Sequence, residues 1–177
     1  MSNYKRYFEQ NFPVFITMVS YNRQHIFIDN IDVLRNAFRN VKQYYKFEII
    51  AIVVLKDHLH FIISAENSSK IPQIIRIIKV YFTKNCIIQN KPKLTNSLIK
   101  QGEKGIWQRR YYDHIIRNED DLWKHIDYIH YNSLKHYNIS PKDWKYSSFK
   151  KFVKNNYYEI NWCNVDDKYN IKELNLE

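Results

Sequence analysis

The order of hydrophobic and polar positions predicts four β-strands. Apolar alternation over 13–20 is typical of a strand, and the β-branched run over 47–55 predicts a second, buried strand. A third strand over 58–63 follows after only two residues, which predicts an antiparallel hairpin. The fourth strand is predicted over 106–116.

Helical periodicity predicts three helices among these strands. They cover 31 to about 45 behind Asn30 as N-cap, 71–85, and 119 to about 131 behind Asn118 and an acidic first turn. The stretch 89–105 holds both glycines and a proline and is predicted to be a loop. The order β-α-β-β-α-β-α indicates an α+β, ferredoxin-like (split βαβ) antiparallel sheet with an additional C-terminal helix. We expect one domain over 1–177, with a C-terminal extension from about 138.

Composition and charge narrow the class of protein. A chain of 177 residues with 45% hydrophobic residues is long enough to bury a core, and it contains no apolar run of membrane-spanning length. No secretory signal is visible, and Cys86 and Cys163 are not in metal-ligand spacing, so we expect a cytoplasmic, nucleoid-associated protein. The net charge of +10 favours a polyanionic partner, either nucleic acid or an anionic membrane surface.

Two histidines on the third strand form the sharpest local motif. Strand alternation places His58 and His60 on one face, roughly 7 Å apart by strand rise. Two imidazoles at that spacing can reach one metal ion. The alternative is a pair of surface histidines on a hairpin.

The last predicted helix carries two stripes of side chains. Its apolar stripe predicts burial, and a polar stripe lies roughly a quarter turn away. Tyr128 and Asn132 are one turn apart on the polar stripe and could point into a site beside the sheet. Alternatively, Tyr128 packs as a boundary aromatic with its hydroxyl in water. The apolar stripe is Leu122, Ile126 and Ile129, and the polar stripe is Asp121, His125, Tyr128 and Asn132.

Arginines alternate with aromatic residues along the fourth predicted strand. Arg109, Arg110 and Arg117 lie among tryptophan and tyrosine residues, a pattern that suits phosphate contact combined with base stacking. A strand edge kept soluble by charge would give the same pattern.

These motifs, taken together, resemble the single-tyrosine HUH transposases, and most of all the REP-associated tyrosine transposases. HUH denotes two histidines separated by a hydrophobic residue. The resemblance rests on the segments VVLKDHLHFII (53–63), IWQRRYYDHIIRNEDDL (106–122), DYIHYNSLKHY (127–137), WKYSS (144–148) and YKRY (4–7). The resemblance thus runs from near the N-terminus to about residue 162.

The resemblance implies a role for each motif residue. His58 and His60 would be ligands of a divalent metal ion, Mg²⁺ or Mn²⁺, and Asn132 the third ligand, where insertion-sequence relatives often have glutamine. Tyr128 would be the nucleophile, with Tyr131, Tyr111 and Tyr112 next in line. Ser133 departs from the family, which usually has proline there, but this change removes no reactive group.

The implied activity is that of a metal-dependent single-stranded DNA endonuclease and strand transferase. It would act at imperfect hairpins through a 5′-phosphotyrosine intermediate, as a monomer or a homodimer. Expected DNA contacts are Lys5, Arg6, Arg109, Arg110 and Arg117, with Arg76, Lys79 and Lys84 as weaker candidates. The alternatives are an inactive hairpin-binding module, a mobile insertion-sequence transposase, and an HUH replication initiator or relaxase.

Overall fold

Four antiparallel strands form the sheet at the centre of the molecule. The computed structural model of the chain describes residues 12–89 and 92–163. Within them the strands lie side by side in the order β2-β3-β1-β4, and every neighbouring pair is antiparallel. This arrangement confirms the predicted α+β, ferredoxin-like sheet. The strands are β1 (Val14–Val19), β2 (Phe47–Val54), β3 (His58–Ala65) and β4 (Tyr112–Ile115).

Helices cover both faces of the sheet. Helices α1 and α2 pack against each other over one face, and α4 contacts β2 and β3 on the other. The helices are α1 (Ile31–Lys42), α2 (Ile71–Asn85), α3 (Asn96–Lys100), α4 (Glu119–Tyr137) and α5 (Phe149–Lys154). Within the described ranges, no helix combines the length and the apolar character needed to cross a bilayer.

Because side chains alternate along a strand, neighbouring residues of β3 lie on opposite faces of the sheet. Leu59, Phe61 and Ile63 belong to the hydrophobic core beneath α1 and α2. His60 stands between them in sequence but contacts Tyr128 of α4 on the opposite face. The hairpin turn before β3 is closed by the Leu55 amide, which donates to the carbonyl of His58 at 2.8 Å.

The fourth strand is shorter than its sequence pattern predicts. Only Tyr112–Ile115 pairs with β1, and Trp107 makes a single isolated bridge to Ser20. The ammonium of Lys79 binds the backbone carbonyls of Gln108 and Arg109, at 2.7 and 3.4 Å. The prediction of a strand over 106–116 was therefore wrong in its first half, which makes only scattered backbone bonds to Val19, Ser20 and Tyr21.

Helix α4 is longer than predicted and continues to Tyr137. Ser133 lies inside it and is buried, so its hydroxyl-bearing side chain does not end the helix. The helix ends instead at Asn138, which adopts a left-handed φ of 56° and donates its amide to the carbonyl of Leu134.

The two predicted N-caps behave differently. Asn118 caps α4 as predicted, because its Oδ1 accepts from the Asp121 amide at 2.8 Å. Asn30 also occupies the predicted N-cap position of α1 and its carbonyl accepts from the Leu34 amide, but its side chain makes no capping bond to the helix. Its amide instead bonds both backbone groups of Ile87 and the carbonyl of Ile26, tying the end of α2 to the start of α1.

Candidate active site

His58 and His60 lie side by side on β3, with their ring centroids 4.9 Å apart. They are only 3% and 0% exposed, so they are not a pair of surface histidines. Their shared face follows from strand alternation, and α4 covers that face.

Each imidazole is held through its Nδ1 atom. Nδ1 of His58 donates to Oδ1 of Asp57 at 2.6 Å, and Nδ1 of His60 shares a hydrogen bond of 2.9 Å with Oγ1 of Thr17. Metal-ligating histidines are typically oriented in this way, with a carboxylate or hydroxyl on one ring nitrogen and the metal on the other. Both rings are therefore arranged to ligate through Nε2.

The protonation states of this group suit metal ligation. Burial, together with the nearby His58 and His136, holds the pKa of His60 well below its usual value, so the ring is neutral near pH 7. Burial by itself raises the pKa of Asp57, but the hydrogen bond from His58 and the cation of Arg23 outweigh it and lower the pKa. Asp57 is therefore an ionised acceptor for His58.

Tyr128 approaches the histidines from α4, and Asn132 lies one turn further along the same helix. Tyr128 is completely buried, with its ring centroid 5.3 Å from that of His60, so it is not a boundary aromatic with a hydroxyl in water. Nδ2 of Asn132 donates to the Tyr128 carbonyl at 2.6 Å. Its Oδ1 is buried and has no hydrogen-bond partner among the described residues. An amide oxygen left in that state is costly unless something binds it.

These side chains fit a divalent cation. Two imidazoles and one unsatisfied amide oxygen form a donor set that Mn²⁺ accepts well and Mg²⁺ less readily. Oδ1 of Asn132 is the main argument for a cation here, because an ion would satisfy this oxygen without breaking the hydrogen bond made by Nδ2.

Comparison with known proteins identifies the family. The family model described as "Transposase IS200 like" matches residues 10–132. The chain is 39% identical to a putative REP-associated tyrosine transposase of Haemophilus influenzae, over 92% of this chain and 93% of that relative. The chain belongs to the IS200-like transposase family, as a REP-associated tyrosine transposase.

Two further relatives support the assignment of the chain to this family. A REP-associated tyrosine transposase of Escherichia coli is 34% identical, over 92% of each chain. A solved structure described as the REP-associated tyrosine transposase bound to a REP hairpin superposes with a TM-score of 0.74 and 32% identity, and the match covers 92% of this chain and 91% of that one. This transposase therefore shares both sequence and fold with the group over most of its length.

Sequence reasoning missed two residues beside the candidate nucleophile of this transposase. Nζ of Lys135 lies 3.4 Å from the hydroxyl oxygen of Tyr128 and 4.9 Å from its ring centroid. The ring of His136 lies 4.8 Å from that of His58. A helical spacing of seven residues between Tyr128 and Lys135 could have signalled the first contact, since i and i+7 share a face.

The arginines predicted to bind DNA are exposed but do not form one patch. Arg109 and Arg110 precede β4, whereas Arg117 follows it at the opposite end of the strand. Arg109 also donates to Oε1 of Gln101 at 2.8 Å. Lys5 and Arg6 lie outside the described residues.

The weaker basic candidates, together with Arg109, line a groove of about 550 Å³ between α2 and the segment 102–111. Arg76, Lys79 and Lys84 all contribute to it. Its α2 wall belongs to the core on the α1/α2 side of the sheet, so the groove does not open onto His58 and His60. The Lys79 ammonium is hydrogen-bonded to backbone carbonyls in this groove, and this bond stabilises the fold of the transposase.

Proposed function

We propose that this transposase is a metal-dependent single-stranded DNA endonuclease and strand transferase that forms a 5′-phosphotyrosine intermediate. The observation that carries the proposal is the buried contact of His58, His60 and Tyr128 between β3 and α4, with the unsatisfied Oδ1 of Asn132 one turn further along α4. A nucleophile beside a ready donor set is what metal-assisted phosphoryl transfer requires.

Tyr128 supplies the nucleophile in this proposal. Its phenolic oxygen attacks the phosphorus, loses its proton and forms the new O–P bond, while the bond from phosphorus to the 3′-oxygen breaks. The products are a 5′-phosphotyrosine link and a free 3′-hydroxyl, which takes up a proton. Because the phosphotyrosine ester conserves the energy of the broken bond, the 3′-hydroxyl can later reverse the step and join DNA without ATP.

His58, His60 and Asn132 would hold the divalent ion, whose chemical contribution when bound is to withdraw charge from the phosphate oxygens. Asp57 and Thr17 orient the two imidazoles through their Nδ1 atoms. Lys135 places a positive charge beside the oxygen on which negative charge develops as Tyr128 loses its proton.

The burial of Tyr128 adds a requirement to this mechanism. Its side chain is completely covered in the protein alone, so a phosphate group cannot reach the hydroxyl. DNA binding must therefore expose the tyrosine before attack, either by moving α4 or by moving what covers it. Cleavage would then depend on the bound substrate rather than on the metal alone.

The proposed substrate is single-stranded DNA that folds into an imperfect hairpin. Support comes from the relative whose structure is described as bound to a REP hairpin, and from the net charge of +10. Arg109, Arg110 and Arg117 are exposed and available to phosphates. Lys5 and Arg6 remain proposed contacts, and we propose either a monomer or a homodimer as the active form.

Oligonucleotides from both strands flanking the protein's own gene provide the direct test. Each is incubated with the full chain and Mg²⁺ or Mn²⁺ and separated on a denaturing gel. We expect a metal-dependent band of covalent protein–DNA adduct with the wild type and none with Tyr128→Phe. Tyr131→Phe is the matched control, because Tyr131 is a buried tyrosine on the same helix and should leave the band intact.

Two outcomes would contradict the proposal. Equal adduct from the wild type and Tyr128→Phe would move the nucleophile to another tyrosine. Tight binding of a hairpin with no adduct on any oligonucleotide would instead favour the inactive binding module.

Salt dependence tests the basic residues separately. Removal of one side chain that neutralises a phosphate should reduce the slope of log affinity against log salt by about one. We expect Arg117→Ala to do so, whereas Arg35→Ala should not, since Arg35 lies on α1 and is paired with Asp32. An unchanged slope in Arg117→Ala would remove Arg117 from the proposed DNA footprint.

A further inference from the structure

A second group of metal-ligating side chains lies where β4 meets the start of α4. His114 comes from β4, and Asp121 and His125 come from successive turns of α4. One ligand atom from each lies within 4.8 Å of the other two. None of the three belongs to the group formed by His58, His60 and Asn132.

Two distances within this cluster, each between a histidine and Asp121, are close to those between neighbouring ligands of one ion. Nε2 of His114 lies 2.9 Å from Oδ2 of Asp121, and Nδ1 of His125 lies 3.0 Å from Oδ1. Ligand atoms about 2.0–2.1 Å from a common metal are themselves roughly 3 Å apart. The two rings are stacked, with centroids 4.6 Å apart and planes 16° from parallel. Nδ1 of His125 also donates to the backbone carbonyl of Asp121 at 2.8 Å, so ligation requires this ring to turn or to change its tautomer as an ion replaces the hydrogen bonds.

The backbone and neighbouring groups hold the three side chains in place. His114 is paired with Phe15 in the sheet, and the Phe15 ring lies 4.8 Å from the ring of His125. The amide of Arg117 donates to Oδ2 of Asp121 at 3.0 Å, and Asn118 caps the Asp121 amide. The site is therefore pre-organised without a ligand.

The surroundings leave one side of the cluster open. The side chains of His114, Asp121 and His125 are 30%, 20% and 6% exposed. The exposed carboxylates of Glu119 and Asp120, in the same helical turn as Asp121, add negative charge nearby. A cation can thus enter from solvent and keep a position for water.

We propose that His114, Asp121 and His125 form a second divalent-metal site that takes Zn²⁺ or a similar nitrogen-preferring ion. Two imidazoles and one carboxylate are typical zinc ligands, and Mg²⁺ is a poor match for them. An ion at this site ties β4 to the helix that bears Tyr128, one turn beyond His125. This inference does not depend on the proposed cleavage activity.

Zinc titration of the full chain in a background without the first site provides the test. The double variant His58→Ala, His60→Ala is freed of metal and titrated with Zn²⁺ against a chromogenic chelator. We expect one bound Zn²⁺ per chain and a rise in Tm on binding, because a ligand of the native state stabilises it. Adding His114→Gln should abolish both, although the glutamine amide can still donate to Asp121.

A histidine outside both groups provides the matched control. His25 is exposed, so adding His25→Gln to the double variant should leave one Zn²⁺ bound. The proposal is overturned if the double variant binds no Zn²⁺, or if it still binds one after His114→Gln. The first result would mean that the cluster is only a hydrogen-bonded link between β4 and α4.

A second measurement does not require replacement of the buried HUH histidines. The wild type and the single variant His114→Gln are titrated with Co²⁺, whose visible absorption reports nitrogen ligation. We expect the variant to bind one Co²⁺ fewer, with a lower absorption to match. Identical titrations would overturn the proposal, and neither titration reads DNA cleavage, so its result is separate from the proposed function.

Discussion

The two faces of the sheet differ in the polar side chains that they bury, although each has an apolar cluster, which on the α4 side includes Phe15 and Ile62. Beneath α1 and α2 the buried residues contributed by the strands are aliphatic and aromatic, with Ile16, Leu59 and Phe61 among them. On the α4 face the same strands bury Thr17, His58 and His60. Helix α4 adds buried polar side chains of its own, including Asn132.

Both faces therefore contribute to stability, and the α4 face differs in burying polar groups that can take part in chemistry. Burial of apolar surface stabilises a fold directly, whereas buried polar groups are costly unless each finds a partner. On the α4 face Thr17 and Asp57 partner the histidines, but Oδ1 of Asn132 has no partner among the described residues. A fold gains nothing from that arrangement, so it is best explained by a ligand.

The largest expected effect comes from removing both imidazoles of the HUH pair. We expect His58→Ala with His60→Ala to lower metal-dependent DNA cleavage by about 10³-fold or more, because the charge stabilisation of the ion is lost. The rate of adduct formation at saturating Mn²⁺ measures this, with His25→Ala as the control. A metal titration unchanged from the wild type would refute the ligand assignment.

Phe61→Ala tests the opposite face of the same strand. Phe61 is completely buried and packs edge-on against Phe38, so we expect a loss of about 3–5 kcal/mol in the free energy of unfolding. Chemical denaturation measures the loss. Metal affinity under native conditions should stay near that of the wild type. If it falls in parallel with stability, the two faces are not independent.

Thr17→Val tests the support of one ligand on the α4 face. The substitution keeps the shape of the side chain and removes the hydroxyl bonded to His60. We expect metal affinity to fall about 10–100-fold, the usual consequence of losing such an orienting group. Calorimetric titration with Mn²⁺ measures it. Wild-type affinity would mean that packing alone orients His60.

The smallest effect is expected from Arg23→Ala at the edge of the site. Arg23 lies 3.4 Å from Asp57 but its side chain is 57% exposed, so solvent screens the pair. We expect less than about 1 kcal/mol of lost stability by thermal denaturation, and metal affinity close to that of the wild type. A tenfold or larger loss of metal affinity would show that the Asp57 carboxylate depends on this cation.

Local periodicity predicted the hairpin that carries the two histidines and helix α2 on the opposite face. The hairpin around Lys56 and Asp57 and the helix over 71–85 agree with the structure, since each depends on neighbouring residues alone. The first half of the fourth strand and the end of α4 were wrong. The bond from Lys79 to Gln108 joins distant segments and could not be predicted from a local pattern, whereas Asn138 ends α4 through a local left-handed cap that the pattern missed.

The sequence by itself determined that His58 and His60 share a strand face and that Tyr128 and Asn132 share a helix stripe, because those spacings follow from backbone geometry. It also contained the motifs that mark the transposase family. Only the tertiary structure decided that these two faces meet, that Tyr128 is buried, and that His114 joins Asp121 and His125. Contacts between distant segments depend on how the core packs, and that is a property of the whole chain.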